Sequence, residues 1–402
     1  LQDRARVKPA PAHRAIWAGF RVMMLVLMVA LTLVAVASFG MYIITSQVTW
    51  AYSGTQVVPG TGGVFSDGES TSLELVAVGD VMLSRKVGRY MDEKGIGYPF
   101  ALVNSLLRET DLSFANLESP IGSSGTPLPG KGIWFRARPE AVQALTGAGF
   151  DVVSVANNHA LDYDTAAFLE TLQLLEEAGI GYVGGGNDIR QARRPLVVEK
   201  KGIKVAFLAY SDMAEMFWSR TYPRMLRATD TSPGIAPLRL DEMMEDVAAV
   251  RPEVDVVVVS LHWGQEYMDN PTPAQREMAY RLVDAGVDLI LGHHPHTLQG
   301  FEMYRNSLIA YSLGNFVFDQ GQKQITQEGL LLQVKIGKLG VEQARVLPVY
   351  LPEAQPRVAT GELGERILLK TQRLTGSLGG NMVIREGHGE LQAKAISQAT
   401  GQ

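Results

Sequence analysis

Val287-Asp288-Leu289-Ile290-Leu291-Gly292-His293-His294-Pro295-His296 is the stretch on which the reading of this chain turns. An apolar run ends in glycine, and three of the chain's seven histidines follow at once. A buried strand of this kind holds the side chains at its end still enough to ligate a metal, and the loop beyond lets them point into a cleft. Pro295 lacks an N–H, fixes its own φ and restrains His294 before it. His294 and His296 are therefore expected to meet an ion from a stiff hairpin. The plainer reading is a polar loop whose histidines only cap a strand. It loses ground because four other strand-like runs also end in metal-competent side chains.

Those runs are read outward from the first. Leu75-Val76-Ala77-Val78-Gly79 leads to Asp80, Ser113-Phe114-Ala115-Asn116-Leu117 to Glu118, and Val152-Val153-Ser154-Val155-Ala156 to Asn157, Asn158 and His159. Val256-Val257-Val258-Val259-Ser260-Leu261 leads to His262. Helical spacing separates the apolar runs over residues 138–148, 165–178, 238–250 and 273–285, so the pattern is α/β. Residues 330–336 and 341–347 read as a closing hairpin. In α/β sheets, ligands bind beyond the carboxyl ends of the strands, so the five ends should share one rim. Two carboxylates, an Asn oxygen and three imidazoles suit Mn, Fe or Zn. They are enough for one ion, or for two bridged by a carboxylate, as in sites that clamp both oxygens of a phosphoryl transfer. Singly, each residue has a structural explanation: Asp80 as a helix cap, His262 beside Trp263 as a packed core histidine, Asn157 as a turn residue.

The bulk properties narrow the class. The chain has 402 residues, 46% hydrophobic and 20% charged, with a net charge of −5 and no cysteine. Nothing global suggests nucleic-acid binding, and thiolate ligands, disulfides and a cysteine nucleophile are excluded. Residues 22–44 carry no charge, and Thr32 and Ser38 are the only aliphatic hydroxyl residues among them. Such a run is long enough to cross a hydrocarbon core of about 30 Å. Arg4, Arg6, Lys8, Arg14 and Arg21 precede it, and residues 45–72 contain no Lys or Arg. The positive-inside rule puts the N-terminus in the cytoplasm and the remainder outside, on an uncleaved anchor in membrane lipid. The expected order is a basic tail 1–21, a membrane helix 22–44, a Gly/Ser/Thr-rich tether 45–72, an α/β domain 73–352 and an extension 353–402 with a mobile polar end.

Six motifs together resemble a known family. They are Val78-Gly79-Asp80-Val81-Met82-Leu83, Asn116-Leu117-Glu118-Ser119-Pro120, Ala156-Asn157-Asn158-His159-Ala160-Leu161-Asp162, Leu261-His262-Trp263-Gly264, His294-Pro295-His296 and Ser312-Leu313-Gly314-Asn315-Phe316. Over roughly residues 73–350 they resemble the bacterial capsule-synthesis CapA family of poly-γ-glutamate biosynthesis proteins. That family is similar to the calcineurin-like metallophosphoesterases, which implies a four-layer αββα sandwich. The resemblance implies Asp80, Glu118, Asn158, His262, His294 and His296 as metal ligands and His159, with Asn158, as the catalytic pair. Asn157, Asn315 and Arg136 are the expected substrate contacts. Three positions depart from the pattern. Met82 stands where metallophosphoesterases carry a histidine, Glu118 replaces the bridging Asp, and Asp164 stands where relatives often have Gly.

Two functions follow as expectations. One is a membrane-anchored extracellular metal-dependent hydrolase serving synthesis, export or anchoring of an anionic polymer, poly-γ-glutamate foremost. The other is a non-catalytic polymer-binding subunit beside membrane synthase partners. Residues 211–237, with Arg220, Arg224 and Arg227, read either as a binding loop for a polyanion or as a solvated loop. Gly184-Gly185-Gly186-Asn187 lacks the lysine and serine of a P-loop and reads as a tight turn.

Overall fold

The apolar runs form strands, and most bury both faces. A computed structural model describes residues 56–59, 72–216, 219–220 and 222–392. The membrane helix expected over 22–44, most of the tether and residues 393–402 lie outside the described residues. No helix among the described residues is long and apolar enough to cross a membrane.

Two large sheets carry the domain. One runs Asn381–Arg385, His388–Gln392, Gly340–Tyr350, Glu328–Gly337, Leu73–Val81, Leu112–Leu117, Val152–Ser154, Gly181–Val183 in spatial order. Its last four strands are parallel. The other runs Gln56–Pro59, Leu196–Lys200, Ile203–Ser211, Val256–His262, Leu289–His293, Ser307–Ala310, Phe301–Tyr304. Its four central strands, from Ile203–Ser211 to Ser307–Ala310, are parallel.

Side chains alternate across each strand, so one strand serves two cores. Val205, Phe207, Val258 and Leu291 join Leu75, Ala77 and Phe114 of the first sheet in one cluster. The Phe114 and Phe207 rings lie nearly parallel across that junction, their centroids 5.7 Å apart. Ala206, Leu208, Val257 and Ile290 instead pack with Met243, Val247, Ala279 and Leu282 of the helices Leu240–Val250 and Pro273–Asp284. The second helix starts cleanly. Thr272 and Gln275 form a reciprocal capping box, with Pro273 in the first turn, where its missing N–H costs nothing.

Register then aligns the strand ends. Asp80 pairs with Asn116 in the first sheet, and His262 lies between Ser211 and His293 in the second. Residues 313–317 run between these ends and bond to both sheets. Asp80 N donates to Gly314 O at 3.0 Å, Met82 N to Val317 O at 2.8 Å, and Leu313 N to Gly292 O at 3.3 Å. So close an approach explains two glycines. A Cβ on Gly79 would lie 1.9 Å from Gly314 O, and one on Gly292 would lie 1.9 Å from Tyr311 O.

Several expectations change. Gln56–Pro59, read as part of a flexible tether, pairs in parallel with Leu196–Lys200. Main-chain pairing to an open sheet edge needs no apolar pattern, so composition did not reveal it. Likewise His388–Gln392, expected to be mobile, pairs with Asn381–Arg385 and with Gly340–Tyr350. The glycine run pairs Gly185–Gly186 with Gly234–Ile235, a backbone role in line with the turn reading.

Glycine substitutions test this packing. Gly292→Ala should destabilise the domain by about 3 kcal/mol, because only backbone could move to admit the methyl. Gly147, in the helix Val142–Ala148, has nothing within 4 Å of its Cβ position. Gly147→Ala should stabilise by about 0.5–1 kcal/mol. Urea unfolding of the two variants should move the midpoint in opposite directions.

Candidate metal centre

The rim is built around Asp80, which is fully buried. Asn116 Nδ2 donates to Asp80 Oδ1 at 2.9 Å from the first sheet. From the second sheet, His293 Nδ1 stands 3.3 Å from Oδ1 and His296 Nδ1 stands 3.3 Å from Oδ2. His296 Nε2 is 3.7 Å from Glu118 Oε1. Asp80, Glu118 and His296 each bring one ligand atom within 4.8 Å of the others. Asn116 also reaches His262 Nδ1 at 3.3 Å, and His262 Nε2 lies 2.9 Å from Asn158 Oδ1. The His262 and His294 rings are 4.8 Å apart.

These donors fit a cation. Glu118 Oε1, both ring nitrogens of His293 and His294 Nδ1 are buried without a hydrogen-bond partner. The 3.3 Å approach of His293 to Asp80 is thus a close contact without hydrogen-bond alignment. Buried polar atoms are rarely left so, and mixed N/O donors suit borderline divalent ions. Charge tells the same story. Burial and the neighbouring Asp80 charge push Glu118 well above the usual carboxylate range. Burial also opposes ionisation of Asp80, but the close approach of His293 and His296 prevails and holds it well below that range. Against burial, the carboxylates raise His296 to about 9, whereas burial and the neighbouring His296 lower His294 to about 3.

The histidine loop is tighter than a proline-stiffened extended hairpin. His294 has φ 96° and His296 φ 55°. Positive φ at non-glycine residues costs of order 1–3 kcal/mol each and collects at functional sites. The bent loop lets His294 N approach Asp80 Oδ2 at 3.4 Å, and Tyr267 N secures Pro295 O at 2.8 Å.

Beside this group lies a second one. His159 Nδ1 is 2.6 Å from Asp162 Oδ2, and Asp162 also accepts from Phe135 N. Lys131 Nζ donates to Asp162 Oδ1 and to Asn158 O and lies 3.3 Å from His159 Nδ1. Burial lowers His159 to about 4, against the Asp162 charge. The Phe135 ring stacks on His159, with centroids 3.8 Å apart.

The remaining candidates sit around these two groups. Asn157 Nδ2 donates to Asn116 Oδ1 and Leu117 O, while its Oδ1 accepts from His159 N. Asn315 Oδ1 faces His296 Nδ1 at 2.9 Å and so fixes that ring. Arg136 donates to the carbonyls of Ser123, Ser124 and Gly125 and lies over Tyr163, which organises the 121–125 turn. Met82 turns its sulfur to Ser84, whose N and Oγ approach at 3.1 and 3.0 Å. Asp164 has φ 60°, a conformation that glycine adopts freely and Asp tolerates. It binds Tyr222 and Arg224 of the 211–237 connection, so that arginine has an internal partner. Sequence reasoning assigned no role to His293, Lys131 or Asp162. Asp162 was within reach, three residues beyond His159 on the same turn.

A mixed α/β domain that gathers carboxylates and imidazoles where two sheets end defines a metal-competent protein. The sequence profile described as bacterial capsule synthesis protein PGA_cap matches residues 74–320, and the chain belongs to that family. It is 33% identical to a capsule biosynthesis protein CapA of Bacillus anthracis, over 73% of this chain and 71% of that one. It is also 33% identical to a PGA biosynthesis protein CapA of Bacillus subtilis, over 69% of this chain and 72% of that one. A solved Staphylococcus aureus chain, provisionally assigned as a 5′-nucleotidase, aligns over 72% of this chain and 55% of that one. Its TM-score of 0.41 and identity of 11% are too low to define fold or chemistry here.

Lys131→Met tests the second group. It leaves the buried Asp162 carboxylate without its cation, at an expected loss of about 3–5 kcal/mol in chemical denaturation. Lys131→Met with Asp162→Asn should recover part of that loss.

Proposed function

We propose that this protein is a membrane-anchored, extracytoplasmic component of capsular polymer assembly, with poly-γ-glutamate as the polymer and a metallophosphoesterase-type site as its working centre. The αββα layering of that type accords with two sheets sharing one core. The anchor rests on the apolar run 22–44 and its basic N-terminal flank. The polymer rests on family membership. The observation that carries the chemical reading is the pairing of the two buried groups. Asp80, Glu118, His296 and their unpartnered neighbours lie one residue, Asn158, away from the His159–Asp162 pair.

In this reading Asp80, Glu118, Asn158, His262, His294 and His296 hold one or two divalent ions, Mn, Fe or Zn. A bound ion of this kind polarises a phosphoryl or acyl centre and lowers the pKa of water. The chain's own residues do the rest. Asp162 at Nδ1 fixes the His159 tautomer, so Nε2 exchanges a proton with the leaving group. Asp162 and Asn158 O in turn hold Lys131. Phe135 keeps the His159 ring in its plane and away from water. Asn315 orients His296, and Asn157 ties the 157–159 turn to the end of the first sheet.

The position of Met82 favours a second reading, a non-catalytic polymer-binding subunit of a synthase complex. Its thioether is a poor ligand for a borderline ion and is already turned to Ser84.

His159→Ala separates the two. The variant should keep its metal, measured by elemental analysis, and lose surface polymer production by on the order of 10²–10⁴-fold in rate. Unchanged polymer in cells carrying a metal-loaded variant would select the binding-subunit reading. His294→Ala with His296→Ala should bring metal to background while the fold survives. Topology has its own check. A reporter fused after Gly68 should be active only outside the cytoplasm, and cytoplasmic activity would reject the anchor orientation.

A further inference from the structure

Two aromatic rings flank the histidines of the site, and each carries a cation. Phe135 stacks on His159, and the Arg85 guanidinium lies over the same Phe135 ring, 4.6 Å from its centroid. Tyr267 stands 6.3 Å from the His296 ring, and Lys323 Nζ lies 3.8 Å from the Tyr267 centroid. One loop organises both pairs. Its Phe318 ring packs against His296 at 4.8 Å and edge-on to Phe135 at 5.7 Å. The next residue, Asp319, accepts from Arg85 Nε and from a terminal Arg85 nitrogen, and from Lys86 N at 3.2 Å. Lys323 follows four residues later.

Neither cation is explained by the chemistry proposed for the site. Arg85 takes φ 53°, a left-handed conformation unfavourable for arginine, at the first position of its helix. The Asp319 side chain is nearly buried and anchors an arginine whose side chain remains 37% exposed. A guanidinium has five N–H donors in a fixed plane, and Asp319 engages one edge of it. The other edge stays available for a second carboxylate, as forked recognition requires. Lys323 is exposed and supplies a mobile point charge. Glu266 is the opposing charge beside Tyr267, so the rim is not a generally positive surface. Selection there depends on placed donors more than on net field.

We infer that Arg85 and Lys323 form a two-point carboxylate clamp that holds an acidic polyamide chain across the mouth between His159 and His296. The inference rests on the polymer reading above and adds the residues that would recognise the substrate. Each cation lies on a ring that touches or approaches a site histidine. A chain held at both points therefore passes over the reactive groups rather than beside them. The repeating carboxylates of a γ-linked glutamate chain provide two contacts without requiring any fixed sequence.

Fluorescence anisotropy on the full chain in detergent micelles tests this. The probes are a labelled γ-linked glutamate decamer and the same decamer with its side carboxylates converted to primary amides. Wild type should bind the first and not the second. Arg85→Gln and Lys323→Gln should each weaken binding about tenfold, the loss of one charge-assisted contact, with metal content unchanged. If Arg85→Gln fails to fold once Asp319 loses its partner, the exposed Lys323→Gln decides alone. Wild-type affinity in the folded variants, or equal binding of the amidated decamer, would overturn the clamp and leave the polymer reading standing. Failure of wild type to bind either decamer would overturn both.

Discussion

Asp80 is the group to which the rest of the rim answers. A carboxylate without solvent contact stays ionised only when partners surround it, and here they come from both sheets. Asn116 approaches from one side, while His293, His296 and the His294 amide approach from the other. The two sheets are therefore held at a separation that one carboxylate can span. The glycines at 79 and 292 follow from the same constraint, since residues 311–317 must pass close enough to bond to both strand ends. Strain at His294 and His296 has the same origin. The loop bends against its preference because the imidazoles must turn back toward Asp80.

Much of this centre could be read from the sequence, and the reason is geometric. Asp80, Glu118, Asn158 and His262 each follow an apolar run, and parallel strands deliver their ends to one rim. The strand–helix alternation likewise gave the α/β class. What escaped notice has no periodic signal. Lys131 lies in a long irregular connection, where a single lysine between glycines looks solvated. His293 stood in the opening motif, but its turn toward Asp80 depends on the register of Leu289–His293 against its neighbours. Gln56–Pro59 joins its sheet through main-chain pairing alone. The helix expected at 22–44 lies outside the described residues, and its reading rests on composition and flanking charge.

The two buried groups differ in how they settle their charge. Around Asp80 four buried side-chain atoms, Glu118 Oε1, both ring nitrogens of His293 and His294 Nδ1, have no partner, as in a site shaped for a ligand. Around Asp162 the partners are complete, with an ammonium, an imidazole and a backbone amide sharing one carboxylate. The first group can gain a cation with little rearrangement, and the second resists change. Asn158 joins them, with its side-chain oxygen at His262 and its carbonyl at Lys131. An alteration in either group reaches the other through this residue and through Asn157, which ties Asn116 to His159 N.

The sheet order also sets a timetable. Leu73–Val81 is central in its sheet, yet one of its neighbours, Glu328–Gly337, comes more than two hundred residues later. Asp80 must likewise wait for Asn315 and the histidines at 293–296. A chain emerging vectorially cannot close this strand on both sides until nearly the whole domain has been made. Closing so long a loop costs entropy before any contact repays it, so assembly of the centre is a late event in folding. Until then the strand that carries Asp80 has an open edge, and an open edge is a template for pairing with a neighbouring chain.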